Sequence, residues 1–180
     1  MNRTDYWHGT NAVFHQFDLG MCGNCDGSGH GNGIYLAEVK EDARSYAEYA
    51  SFRNKGQGPV VCLVALSAPE RSIIDAKTKF EDIPPEVAAG LKKEFSLDFA
   101  DTARAEFQDV LSGIQNRHSR EKEYDALRRL GVKAIINIWD DGLAKKGMIA
   151  RVLDPACVEV VHHEKRILIN GGREYDWIVA

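Results

Sequence analysis

The stretch that most constrains this chain runs from Gly27 to Ala50, GSGHGNGIYLAEVKEDARSYAEYA. Gly27, Gly29, Gly31 and Gly33 occupy every second position, a spacing that a helix interior does not tolerate. They lead into a short apolar run, Ile34-Tyr35-Leu36-Ala37. Lys40-Glu41-Asp42 then opens a pattern in which Ala43, Tyr46, Ala47 and Ala50 share one helical face. The expected unit is a loop, a short strand and an amphipathic helix. Tyr35 and Tyr46 then face one hollow, from the strand and from the helix.

The rest of the chain arranges strands at both ends with helices between. Asp5-Tyr6-Trp7-His8 predicts a strand ended by Gly9, and Val60 to Leu66 predicts a buried one. Pro84-Pro85 suits the first turn of a helix running to about Phe95. A second helix is expected with Ala100, Ala103, Phe107, Val110, Leu111 and Ile114 on one face. Ser119 caps a third, which ends at Gly131. From Val132 the pattern changes to strands: VKAIINIW, MIARVLD, VEVVHH, RILIN and EYDWIV, with turn residues between several of them. These elements predict an α+β fold over 1–180, a single domain with an antiparallel or mixed sheet and inserted helices.

A net charge of −4 argues against a constitutive DNA-coating or membrane-surface role, and leaves room for an enzyme that visits nucleic acid briefly. The longest apolar run, Val60–Leu66, is too short to span a bilayer. No signal-peptide pattern precedes Asp5-Tyr6-Trp7, so a cytoplasmic location and no membrane partner are expected. Cys62 and Cys157 sit in apolar runs and read as inert core thiols. Cys22 and Cys25 form a CGNC pair between His15 and His30. That spacing matches no zinc finger, so the pair reads as two loop thiols and no metal is expected.

Two common phosphate motifs fail in the glycine-rich stretch. A P-loop needs Gly-Lys-Ser/Thr entering a helix, and here Gly33 is followed by Ile34-Tyr35. A dinucleotide fingerprint begun at Gly27 needs glycine where the chain has Asn32. His8-Gly9-Thr10 offers another chemistry. A strand-end histidine can bond a ribose hydroxyl, and glycine leaves its backbone N–H and C=O open to a carboxamide. Tyr35 and Tyr46 can hold a cationic aromatic ring between them, at roughly 0.5–2 kcal/mol per cation–π contact.

HGT, then GxGIYLAE, then A-x-x-YA resembles the ADP-ribosyltransferase fold, in its poly(ADP-ribose)-polymerase-like branch with a His-Tyr-Glu triad. The eleven-residue interval from Tyr35 to Tyr46 matches the family's spacing between its strand tyrosine and the tyrosine that stacks on nicotinamide. The resemblance implies a split sheet and NAD+ as substrate. His8 would be on ribose, Gly9 would hold the carboxamide, Tyr35 and Tyr46 would sit around the ring, and Thr10 would complete the cofactor-binding triplet. Where the family often has a serine that also bonds the carboxamide, this chain has Ala43. The segment from Tyr124 to Ile135 and the strand ending Leu153-Asp154-Pro155 resemble bacterial and phage members. Counting back from Asp154 puts Ile149 in the glutamate's place.

A His8, Tyr35 and Ile149 triad implies a mono-ADP-ribosyltransferase, a toxin or effector acting on a macromolecular acceptor, protein or nucleic acid. An antitoxin or immunity protein is an implied partner. Asp140 or Asp141, or the substrate itself, would supply the missing carboxylate. The locally basic residues Arg117, His118, Arg120, Lys122, Arg128, Arg129 and Lys133 are diluted by Glu121, Glu123 and Asp125 and read as a solvated helix face. They are the first place to look for a nucleic-acid contact. An NAD+ glycohydrolase and an inactive NAD-binding module are the alternatives.

Overall fold

Both ends of the chain contribute strands to one mixed sheet, with helices inserted between them. The computed structural model describes residues 2–18, 32–53, 58–98, 102–139, 146–169 and 174–180. In chain order the elements are β1 (Asn2–Thr10), β2 (Ile34–Ala37), α1 (Lys40–Arg53), β3 (Val60–Ala68) and β4 (Ile73–Asp75). Next come α2 (Pro85–Phe95), α3 (Phe107–Arg117) and α4 (Arg120–Arg129). Last are β5 (Ala134–Ile138), β6 (Ile149–Val152), β7 (Val158–Ile169) and β8 (Glu174–Val179). The sheet order is β4-β5-β6-β2-β1-β3-β7-β8. The β4–β5 pair is parallel and the others are antiparallel. The fold is α+β, as expected.

Alternation along the strands divides the core. Facing α2, α3 and α4, a cluster of Phe80, Leu91, Phe107, Ile114, Leu127 and Ile149 is buried with its neighbours. Tyr6, Phe17, Leu36, Val64, Leu66 and Val152 form a second cluster. Helix α1 docks through Ala43 and Ala47 against Ala37 and Val61. Its charged side is held as well: Glu164 of β7 lies 2.5 Å from Lys40 and 3.6 Å from Arg44.

Three elements differ from the sequence pattern. Gly9 does not end the first strand: β1 runs on to Thr10, because Gly9 and Thr10 still pair with Val61 and Val60 of β3. VEVVHH and RILIN are one continuous strand, β7. The charged break at Glu164-Lys165 did not end it, because Glu164 finds its cations on α1 while the ladder continues. Helix α3 starts at Phe107 rather than near Ala100. The preceding residues bond elsewhere: Glu81 N donates to Ala103 O, Phe80 N to Ala105 O and Phe107 N to Thr78 O. The third helix keeps its expected start, with Ser119 Oγ accepting from Lys122 N at 3.1 Å.

Candidate active site

The three positions of the expected triad lie far apart in sequence and fall on three consecutive strands, β1 (His8), β2 (Tyr35) and β6 (Ile149). Strand β2 pairs with β6 along its length, from Ile34↔Val152 to Ala37↔Ile149. Its ladder with β1 consists of Trp7↔Ala37. Past that pair His8, Gly9 and Thr10 continue beside Cys62, Val61 and Val60 of β3. Among the described residues, their β2-side edge has no strand partner. The sheet therefore opens between His8–Thr10 and Ile34–Leu36.

The His8 imidazole reaches across this opening, with Nδ1 2.8 Å from the Tyr35 carbonyl oxygen. A carbonyl only accepts, so Nδ1 carries the hydrogen. Burial pushes the His8 pKa below its ordinary 6.5, against the opposite pull of the Tyr35 bond. The ring is neutral at pH 7, and Nε2 is left as an acceptor. Phe14 and Phe17 meet the ring edge-on at centroid distances of 6.0 and 5.0 Å and fix its plane.

This shift has a sign that can be checked. The unfolded chain takes up a proton near 6.5, and folded His8 resists until lower pH. Its contribution to stability is full above about 6.5 and is lost as pH falls toward the folded value. Denaturation midpoints measured from pH 7.5 to 5 should fall less steeply in His8→Gln than in the wild type. His163, whose pKa burial also lowers, supplies part of the slope in both proteins.

Gly9 marks the closest approach of helix and sheet. A Cβ there would lie 2.0 Å from Ala43 O, 2.7 Å from Ala47 N and 2.9 Å from Tyr46 Cβ. Gly9 and Ala43, both assigned to the carboxamide end, are thus in direct contact. Tyr35 and Tyr46 are half-buried and pack on the cluster that contains Ile149. Thr10 ends β1 opposite Val60. Ile149 is 2% exposed and is paired with Ala37 and Ile138, so the third position offers methyl groups and no charge.

Several fixing contacts were not anticipated. Asp42, in the first turn of α1, is buried and accepts from Lys146 N (3.1 Å) and Gly147 N (2.9 Å), which anchors the chain just before β6. Glu123 is fully buried, a correction to its reading as part of a solvated helix face. It grips Arg151 of β6 through two 2.8 Å bonds. The signal for this pair was an arginine inside the apolar run MIARVLD.

Cys62 and Cys157 are free and buried. Burial pushes the Cys62 thiol up to about 12, so it is un-ionised at pH 7. Cys22, Cys25, His30, Asp140, Asp141 and the glycines 27–31 lie outside the described residues. Among the described residues no group of three or more His, Cys, Asp or Glu side chains is arranged to hold a metal ion. Nor is any helix among them long and apolar enough to cross a membrane. Comparison with protein-family models, curated proteins and solved structures gave no match.

Proposed function

We propose that this protein is a mono-ADP-ribosyltransferase that cleaves NAD+ and transfers ADP-ribose to a macromolecular acceptor, a protein or a nucleic acid. One observation carries the reading. Residues 8, 35 and 149 are far apart in sequence, and they fall on three consecutive strands, the first two of which flank an opening in the sheet that the His8 ring bridges. Three further features support it: the edge of His8–Thr10 that no described strand covers, the contact of Gly9 with α1, and the placement of Tyr35 and Tyr46 on one cluster.

In this reading His8 Nε2 accepts from a ribose hydroxyl, and the open backbone edge near Gly9 takes the carboxamide. Tyr35 and Tyr46 enclose the cationic nicotinamide ring. The C1′–N bond breaks and its electron pair goes to nicotinamide, which leaves neutral. The sugar passes through an oxocarbenium-like state, and the acceptor bonds to C1′ from the opposite face and releases its proton to solvent. Orientation and fixed dipoles supply the acceleration. With Ile149 in the third position there is no carboxylate at that point to deprotonate the acceptor. The acceptor is accordingly a group already nucleophilic at neutral pH. A role as a toxin or effector, held in check by an antitoxin, fits the same reading.

Incubating NAD+ labelled on its ADP-ribose half with whole-cell extract tests the assignment. Transfer by the wild type should fall by about a hundredfold or more in His8→Ala and in Tyr46→Ala, since each removes a group that orients the substrate. Transfer that survives both substitutions rejects the site. The apolar environment of Ile149 favours one alternative, an NAD-binding module without catalysis. For that module NAD+ would raise the melting temperature and never be consumed.

A further inference from the structure

All four residues of β6 are buried, and Arg151 is the charged one among them. Its side chain is 1% exposed, and so is held almost wholly out of water. Three groups of the guanidinium are committed. Nη1 and Nη2 donate to the two oxygens of Glu123 on α4, each at 2.8 Å, and Nε donates to Asn32 O at 2.6 Å. Asn32 stands three residues before Tyr35, and Arg151 is the ladder partner of Tyr35 itself.

The next residue fits the same purpose. Gly33 has φ +147°, and a Cβ there would lie 2.9 Å from Arg151 Cγ and 3.0 Å from Val152 O. The glycine therefore lets the arginine stem pass close to the chain on its way to the Asn32 carbonyl. On the far side α4 is tied to the end of β6 a second time, by Tyr124 Oη donating to Leu153 O at 3.1 Å. The brace thus has a fixed end on the helix and its other end at the entry of β2.

Stability alone gives a weak reason for such a pair. Desolvating both charges consumes most of what their attraction returns, and apolar replacements of similar volume are often as stable. Lysine would not serve, because a single ammonium lacks the planar fork that holds a carboxylate and a carbonyl together. We infer that Arg151 is a positioning residue for Tyr35, acting through Glu123 and the Asn32 carbonyl to fix where β2 presents the Tyr35 ring to the cleft. This rests on the reading of Tyr35 and Tyr46 as the clamp on nicotinamide.

The test compares wild type, Arg151→Lys and the apolar double variant Arg151→Met/Glu123→Leu, each with fluorotyrosine placed at position 35. Melting temperature, dissociation constants for nicotinamide and NAD+, and the fluorine resonance are measured on each. The double variant should melt at or near the wild-type temperature. Its nicotinamide affinity should fall about tenfold or more, as a displaced ring predicts, and its fluorine line should broaden or split. Arg151→Lys should show the same loss without rescue. A folded double variant with wild-type affinity and a wild-type line overturns the inference. If the double variant does not fold, wild-type behaviour of Arg151→Lys overturns it instead. If the wild type binds neither ligand, the NAD+ reading fails, and the fluorine spectra still decide whether the brace orders Tyr35.

Discussion

Gly9→Ala should be among the most damaging single methyl groups this fold can receive. The added carbon would stand 2.0 Å from the Ala43 carbonyl oxygen and 2.7 Å from the Ala47 nitrogen. Both are backbone atoms inside a helical turn, so no rotamer change can relieve the contact. Helix α1 must lift from β1, and its apolar contacts through Ala43 and Ala47 loosen with it. The expected loss is about 3 kcal/mol or more, at or above the upper end for overpacking. Urea denaturation measures it. Any NAD+-dependent rise in melting temperature should vanish too, because Tyr46 rides on the displaced helix. Gly113→Ala is the contrasting control. That site, inside α3, has only Arg117 Nη2 near, at 3.7 Å. Alanine there should stabilise by about 0.5–1 kcal/mol through helix propensity.

Glu123→Ala should be of comparable severity for an electrostatic reason. It leaves the Arg151 guanidinium sealed from water without its counter-charge. Breaking a buried pair from one side costs about 3–5 kcal/mol, while replacing both partners by apolar groups is often close to neutral. The two single losses and the double variant therefore form a cycle with large coupling. Burial also shields the pair from salt, so the penalty should persist at high ionic strength. The exposed Arg129–Glu94 pair, at 2.8 Å, is the comparison: removing Glu94 should cost well under about 1 kcal/mol. Denaturation midpoints at low and high salt separate the two cases.

The sequence carried these elements unequally, and the reason is range. Ile34–Ala50 was legible because its signals are local: a helical alanine and tyrosine face, and a short apolar run before it. Helix α1 accordingly spans Lys40–Arg53, with Ala43, Ala47 and Ala50 buried. Pro85 and Ser119 marked the starts of α2 and α4 by equally local chemistry. What escaped depends on distant partners. Glu123 looks like any other acid on a charged helix until Arg151 is brought to it from a strand twenty-eight positions on. The segment before α3 has helical spacing, yet its backbone bonds to residues 78–81 instead.

Gly9 is legible as a special position, and beside the expected opening of its backbone to a ligand the geometry adds a second reason: α1 passes too close for any side chain. Ile149 shows the converse. Its register could be counted from Asp154, but no local pattern states that it is sealed into the apolar core. Asp42 gave no pattern either: its role in anchoring Lys146 and Gly147 exists only once β6 lies beside β2.

The most direct test of the central claim is a paired assay of nicotinamide release and label incorporation from the same NAD+ pool, in the presence of cell extract. A mono-ADP-ribosyltransferase built on His8, Tyr35 and Tyr46 predicts one nicotinamide released for each ADP-ribose incorporated. It also predicts that both signals collapse together in Tyr46→Ala. Nicotinamide release without incorporation, or incorporation that Tyr46→Ala leaves intact, would contradict it.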